Sequence, residues 1–255
     1  MIDFVGAGPG AADLITVRGM RLLGEADVVI YAGSLINPEI LGYVREGAEL
    51  CNSAEMTLEE ILQVMLAAEA AGRRTVRLHT GEPSLYGAVR EQMDLLDREG
   101  IEYRSCPGVS ACFGAASSLN LEFTLPGLSQ TLILTRMEGR TPVPESERIR
   151  DLAAHRASMA VYLSAGMLDR LSEQLVEGGL DPDTPAVIAF RATWPDERML
   201  FCTVGTLHET GRRNGITKTA VVLVGSAVKP SGYERSRLYD GTFTTGFRRG
   251  SGGQI

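Results

Sequence analysis

Two glycine-rich loops in one short stretch of alternating strand and helix constrain this chain more than anything else in it. FVGAGPGAADLITVRG follows the apolar run Ile2–Val5, and RLHTGEPSLYGAVREQ follows a second run, Thr75–Leu78. Short apolar runs that end in glycine read as buried strands, so both loops leave the carboxyl ends of strands in a covered parallel sheet. Open α/β sheets bind their ligands at that edge.

The rhythm extends along the chain. A helix near Val17–Gly24, a strand Asp27–Tyr31, a long helix, the strand Thr75–Leu78, a helix over about Ser84–Arg98 ending at Gly100, and a strand Tyr103–Cys106 make one α/β block. The long helix runs from Thr57 to about Ala71: Thr57 and Glu60 form a capping box, Ile61, Leu62, Met65 and Leu66 an apolar stripe, and Gly72 the stop. After Pro107–Ser110, the small residues of Ala111–Leu119 suit close packing, and Asn120–Ser129, with Pro126 and Gly127, reads as a hinge. The alternation resumes with Leu132–Thr135, Glu145–Ala154, Ala160–Leu163, Leu168–Glu177, Ala186–Ala189 and Ala220–Gly225. The predicted division is an N-terminal α/β domain over 1–120, a linker at 121–130, a C-terminal α/β domain over 131–230 and a tail over 231–255.

Lys and Arg total 25 against 32 Asp and Glu, a net charge of −7, which argues against a general nucleic-acid or anionic-membrane binder. An anionic ligand would have to meet a local cluster of arginines. The four cysteines, Cys51, Cys106, Cys112 and Cys202, form no Cys-x-x-Cys pair and read as reduced, mostly buried thiols. His79, His155 and His208 lie far apart without partners at ligand spacing, so no metal is expected. The N-terminus has no signal-like segment and no apolar run reaches the ~20 residues of a membrane span, which predicts a cytoplasmic protein.

Gly6-Ala7-Gly8-Pro9-Gly10-Ala11 formally satisfies the dinucleotide pattern G-x-G-x-x-A. Pro9, however, removes an N–H that a pyrophosphate would need, and Asp27–Tyr31 runs into Ala32-Gly33 without the carboxylate that holds a ribose. A ligand without phosphate suits the loop better than a nicotinamide dinucleotide. In the second loop, Glu82 either meets a ribose hydroxyl or an ammonium group, or sits near the N-cap of the following helix, where the macrodipole favours its charge.

The order GAGPG, TGEPSLYG and CPGVS resembles the tetrapyrrole (corrin/porphyrin) methyltransferase family, as do YAGSLINPE, LILTRMEGRTPVPESE, ATWPDE and SRLYDGTFTTGFR; together these cover Ile2 to about Arg248. The resemblance implies two α/β domains with mainly parallel or mixed sheets, a ligand trough between them, a homodimer, and S-adenosylmethionine as methyl donor. It further implies methylation of C11 of precorrin-4 or cobalt-precorrin-4 in cobalamin synthesis. Carried over position by position, it places Pro9, Gly81, Glu82, Leu85, Ser110, Ala111, Leu163, Ala189 and Ala220 around the cofactor. The family usually has Asp where this chain has Glu82, which bears on whether that carboxylate touches the cofactor.

Transfer of a methyl group from a sulfonium to carbon is an in-line displacement that needs positioning rather than a metal or covalent enzyme intermediate. No single catalytic residue is assigned. Since a precorrin carries many carboxylates, Arg77, Arg90, Arg136, Arg140, Arg191 and Lys218 are candidates to meet it, with Arg136, Arg140 and Arg191 favoured and Tyr86 and Tyr31 available to pack on the macrocycle. A non-catalytic tetrapyrrole carrier on the same fold is the rival of a different kind.

Overall fold

A computed structural model describes residues 1–251, which divide into two compact units. Unit 1 comprises Met1–Leu119 together with Phe190–Met199, and unit 2 comprises Asn120–Ala189 and the chain from Leu200 onward.

Unit 1 is built on β1 (Ile2–Gly6), β2 (Val28–Tyr31), β3 (Glu49–Asn52), β4 (Thr75–His79) and β5 (Tyr103–Cys106), in the order β3-β2-β4-β1-β5 with every pair parallel. The strands carry apolar residues on both faces. Ile2, Phe4, Val28 and Ile30 pack against Ile61 and Met65 of α2 (Leu58–Ala70) and Met93 and Leu96 of α3 (Val89–Arg98). Val5, Val29, Val76 and Leu78 pack against Leu22 and Leu23 of α1 (Val17–Glu25) on the other side. Each fully buried side chain of this kind contributes about 1.5–3 kcal/mol over an exposed one. The capping box of α2 forms as expected: Glu60 N–H donates to Thr57 Oγ1 at 3.3 Å and the Thr57 N–H donates to Glu60 Oε2 at 2.7 Å.

Two parts of unit 1 depart from expectation. The strand β3 was not anticipated; it is an exposed edge strand without an apolar run. The helix expected from Ser84 starts only at Val89, because Tyr86 (φ 58°) and Ala88 (φ 49°) are left-handed and break any helical path through the loop.

Unit 2 carries β6 (Leu132–Arg136), β7 (Ser158–Tyr162), β8 (Pro185–Phe190), β9 (Arg198–Thr203) and β10 (Ala220–Val224) in the order β6-β7-β10-β8-β9. β6 and β7 are parallel, whereas β10 runs antiparallel to β7 with Val222 opposite Val161. Leu168, Leu171 and Leu175 of α6 (Leu168–Glu177) are buried, as is Leu207 of α7 (Leu207–Arg213). The edge strand β9 and the helix α7 were not anticipated, and Glu145–Ala154 splits into a 3-10 turn at Glu145–Glu147 and a short α5 (Ile149–Ala153) separated by extended Arg148. Residues 121–130 pack within unit 2: Phe123 and Leu125 are buried, and the Ser158 hydroxyl donates to the Phe123 carbonyl at 2.8 Å.

Candidate functional site

In unit 1 the neighbouring strands β4, β1 and β5 release three loops side by side at their carboxyl ends, and the glycines let these loops close on one another. A Cβ on Gly6 would lie 2.6 Å from Gly108 Cα and 2.6 Å from the Gly81 carbonyl oxygen, and one on Gly108 would lie 2.1 Å from that same oxygen. Gly8 and Gly81, both at positive φ, are cross-linked: Gly81 N–H donates to Gly8 O at 2.8 Å and Gly8 N–H to Gly81 O at 3.3 Å. Here the absence of side chains is a steric requirement.

Glu82 fastens the second loop to the third. One carboxylate oxygen accepts the Ser84 N–H at 2.9 Å, the other the Gly108 N–H at 2.8 Å. Burial works to raise its pKa, but hydrogen bonds from the Ser84 and Gly108 backbone and from the Ser84 side chain together outweigh that and hold the carboxyl below its ordinary value. Of the two readings of Glu82, the one near a helix N-cap does not hold, since α3 begins seven residues later at Val89.

The first loop is braced by two segments distant from it in sequence, with no local pattern that links them to it. The buried Asn37 donates from Nδ2 to Gly10 O at 3.0 Å and accepts the Glu39 N–H at 3.1 Å. The turn Arg191–Glu197 packs on the other side: Ala11 N–H donates to Thr193 Oγ1 at 3.0 Å, and a Cβ on Gly10 would lie 2.2 Å from Trp194 Cδ1. That turn is tied by Glu197, which accepts from Thr193 N–H and, at 2.8 Å, from Ser118 Oγ of α4 (Ala111–Leu119). On α4, Gly114 leaves room for Pro9, whose Cβ would stand 2.7 Å from a Cβ at that position. The loop then passes through a 3-10 turn (Ala12–Leu14) before α1 begins, capped by its own Thr16, so no helix N-terminus opens from GAGPG as a pyrophosphate site requires.

Of the remaining candidates in unit 1, Ser110 is buried just before α4, Ala111 opens that helix, Leu85 is half-buried, and Tyr86 is exposed with its left-handed backbone. Arg191 is engaged within its own turn, 2.5 Å from Asp196 Oδ2 and stacked 4.2 Å from the Trp194 ring centre. Arg77 is buried in the core, donating to Gln92 Oε1, Ile30 O and Ser53 Oγ, with its pKa lowered by burial to about 10. Arg90 is paired at the surface with Asp94 and Asp97. His79 is buried and stacked on Phe4, and burial together with the Arg77 charge lowers its pKa to about 3, so its imidazole is neutral.

Unit 2 gathers its own candidates at one edge of its sheet. The β7–β10 register puts Ala220 opposite Leu163, and the Gly225 N–H to Pro185 O bond (3.0 Å) makes β8 antiparallel to β10, which brings Ala189 to the same end. Arg136 pairs with Tyr162 in the β6–β7 register and is there too. Leu163 is 67% exposed at φ 53°, and Thr219, beside Ala220, has φ 56°. Left-handed backbone at a non-glycine residue costs about 1–3 kcal/mol and persists where surrounding bonds impose it. Ser164 imposes it here, its hydroxyl donating to Tyr162 O at 2.7 Å and accepting the Met137 N–H at 3.0 Å. The Arg136 guanidinium donates to the carbonyls of Met137, Thr141 and Pro142, bracing the loop that presents the exposed Arg140.

Among the described residues no group of three His, Cys, Asp or Glu side chains is placed to hold a metal, the four cysteines are free, and no helix is long and apolar enough to cross a membrane.

A doubly covered parallel sheet with three interlocked loops at its carboxyl edge, joined in one chain to a second mixed sheet, defines an α/β ligand-binding protein without a phosphate cradle. The chain belongs to the tetrapyrrole (corrin/porphyrin) methylases, whose family model matches residues 1–208. It is 48% identical to a cobalt-precorrin-4 C(11)-methyltransferase of Methanocaldococcus jannaschii, over 97% of this chain and 96% of that one. The X-ray structure of a cobalt precorrin-4 methyltransferase, a cobalamin biosynthetic enzyme, superposes with a TM-score of 0.88 at 46% identity, covering 90% of this chain and 96% of the other. Uroporphyrin-III C-methyl transferase from Thermus thermophilus, in complex with S-adenosyl homocysteine, gives a TM-score of 0.75 at 26% identity, covering 89% and 93%.

Proposed function

We propose that this chain is an S-adenosylmethionine-dependent methyltransferase that methylates C11 of cobalt-precorrin-4, or of its metal-free counterpart precorrin-4, in cobalamin synthesis. The observation that carries this reading is near-full-length similarity to a C11-methyltransferase in a chain whose three strand-end loops close on one another backbone to backbone. The loops fit an adenosyl and methionine ligand: they offer backbone N–H and C=O groups, small residues and no arginine cluster for phosphate.

In this reading the backbone at Pro9, Gly81, Leu85, Ser110 and Ala111 is the cofactor-binding set of unit 1, and Leu163, Ala189 and Ala220 are the candidates carried by unit 2. Glu82 serves as the clasp that fixes two of the loops rather than as a direct ligand. Arg136 and Arg140, with Tyr86, face the substrate; Arg191 acts through its turn on the first loop. When bound, S-adenosylmethionine supplies an electrophilic methyl group on a sulfonium. What the chain must then do is hold the tetrapyrrole so that C11 lies about 3–3.5 Å from that carbon and in line with the breaking bond. Neutral His79 adds no positive charge to the floor of the second loop. The active form is a homodimer, which light scattering tests as a mass of twice 27.4 kDa.

The deciding experiment is a single-turnover assay read by mass spectrometry, with S-adenosylmethionine and cobalt-precorrin-4 run beside precorrin-4. One methyl group gained, mapped to C11, is the expected result, with cobalt-precorrin-4 the faster substrate. Binding of S-adenosylhomocysteine without methylation of either compound overturns the assignment.

A further inference from the structure

The last described stretch, residues 231–251, has a composition and a surface unlike the rest of the molecule. Tyr233, Leu238, Tyr239, Phe243 and Phe247 are all exposed, Tyr239 at 71% and Phe247 fully. Single exposed apolar residues are ordinary, but these five fall within one short segment, which distinguishes it from the rest of the surface. The same stretch holds Arg235, Arg237, Arg248 and Arg249 against only Glu234 and Asp240, in a chain whose net charge is −7. Among the described residues Arg235 and Arg248 act on Asp240 through their charge and donate to backbone carbonyls within the stretch, whereas Arg237 and Arg249 are in no ion pair. Asp240 is occupied locally, accepting from the N–H and hydroxyl of Thr242 at 2.9 and 2.8 Å.

The segment is also shaped in advance. Arg248 donates to the carbonyls of Leu238 and Asp240, Ser251 N–H to Gly241 O at 2.8 Å, and Thr245 N–H to Arg248 O at 2.7 Å, closing a compact loop. Glu234 N–H anchors its start to Pro126 O at 2.8 Å within unit 2. Its own bonds set the backbone while its rings and the remaining guanidinium groups face water, which lowers the entropy cost of binding.

We propose that residues 231–251 form a substrate-binding strap, its aromatic rings covering the flat face of the tetrapyrrole and its arginines taking the peripheral carboxylates. The inference rests on the function proposed above, since it needs a substrate that is at once flat, apolar-faced and polyanionic. It adds cationic groups to the few that the earlier candidates supply: Arg77 is buried and Arg90 and Arg191 are paired with carboxylates, which leaves Arg136 and Arg140. Planar guanidinium groups suit carboxylates because they bind them through two parallel hydrogen bonds, and rings beside them match a macrocycle.

The test uses the full chain with Arg237→Gln, Tyr239→Ala, Phe247→Ala and Arg249→Gln combined, all at exposed positions, and a second protein with Arg237→Lys and Arg249→Lys. Cobalt-precorrin-4 is followed by its visible absorbance in equilibrium dialysis against each protein with S-adenosylhomocysteine present, at low and high salt, beside the KM and kcat of methylation. The strap predicts at least tenfold weaker binding and a matching rise in KM for the fourfold variant, a shallower salt dependence, and unchanged kcat and S-adenosylhomocysteine affinity, with the lysine variant in between. Equal binding by the unaltered chain and the fourfold variant overturns the strap and leaves the proposed activity standing. So does a fall in S-adenosylhomocysteine affinity of the same size, or a loss of oligomeric mass, either of which makes the segment a structural or subunit contact. Failure of the unaltered chain to bind or methylate any precorrin removes the activity and the strap together.

Discussion

Replacing Gly108 by alanine tests the interlocked loops directly. The added methyl would stand 2.1 Å from the Gly81 carbonyl oxygen and 2.8 Å from Gly6 Cα, both backbone atoms, so no side chain can swing aside. Relief requires the third loop to retreat by about 1 Å, and forced overpacking of this kind costs about 1–3 kcal/mol. The same retreat lengthens the 2.8 Å bond from Gly108 N–H to Glu82 beyond hydrogen-bonding range. A hydrogen bond to a charged group is worth about 1.5–3 kcal/mol, so the combined loss is about 3 kcal/mol or more. In a protein of this size that lowers Tm by about 6–12 °C. If a third to a half of it falls on the bound geometry, affinity for S-adenosylhomocysteine drops about 5–15-fold. Calorimetric titration and a thermal melt read the two effects. Gly42→Ala is the control, because a Cβ there meets nothing within 4 Å and its φ is not positive. Wild-type affinity in Gly108→Ala, with a Tm matching that of Gly42→Ala, would refute the idea that loop closure shapes the cofactor site.

Glu82→Gln is expected to destabilise the protein near neutrality. Because the folded-state pKa of Glu82 lies below the ordinary value of 4.5, its contribution is fully present above that value and is lost as pH falls through the folded pKa. Chemical denaturation should therefore show a constant gap between wild type and variant from pH 7 to 5, closing below; a gap that widens in acid contradicts the clasp. His79 has the opposite charge type but is also depressed, to about 3, so the unfolded chain takes up a proton below 6.5 that the folded one refuses. Stability should fall with acid across that window by as much as about 1.4 kcal/mol per pH unit, and His79→Phe should flatten this slope. Asn37→Ala removes a cap and strands the Gly10 carbonyl, at a cost of about 2 kcal/mol. Its thermal melt should drop, and affinity for S-adenosylhomocysteine with it; unchanged affinity would separate Asn37 from the first loop's function.

The elements legible in the sequence were those whose signal is local. β1, β2 and β4 announce themselves by apolar runs that lead into glycine-bearing loops, the edge strand β5 by the Pro-Gly that follows it, and α2 by a capping box that forms as read. The missed strands, β3 and β9, are sheet edges where one side faces water and the apolar pattern thins out. The early start assigned to α3 has a different cause. Ser84–Ala88 carries helix-compatible residues, but a Cβ on Gly87 would sit 2.2 Å from Pro83 O, and the tight turn there drives Tyr86 and Ala88 left-handed. In the site, the glycine loops were visible because glycine has few other reasons to cluster after strands. The braces were not: Thr193 meets Ala11 across 182 positions, and the ATWPDE segment gives no local sign of what it packs against.

That distance matters while the chain is being made. The first loop leaves the ribosome near the beginning of synthesis, yet Thr193 and Trp194, which close it, appear only after about three-quarters of the protein has been built. At about 5–20 residues per second, the nascent sheet waits on the order of ten seconds or more with its GAGPG loop unbraced. A ligand-competent first unit therefore cannot precede the synthesis of most of the second. A fragment ending at Leu119 has every strand of its sheet and still lacks the turn that finishes its binding loop.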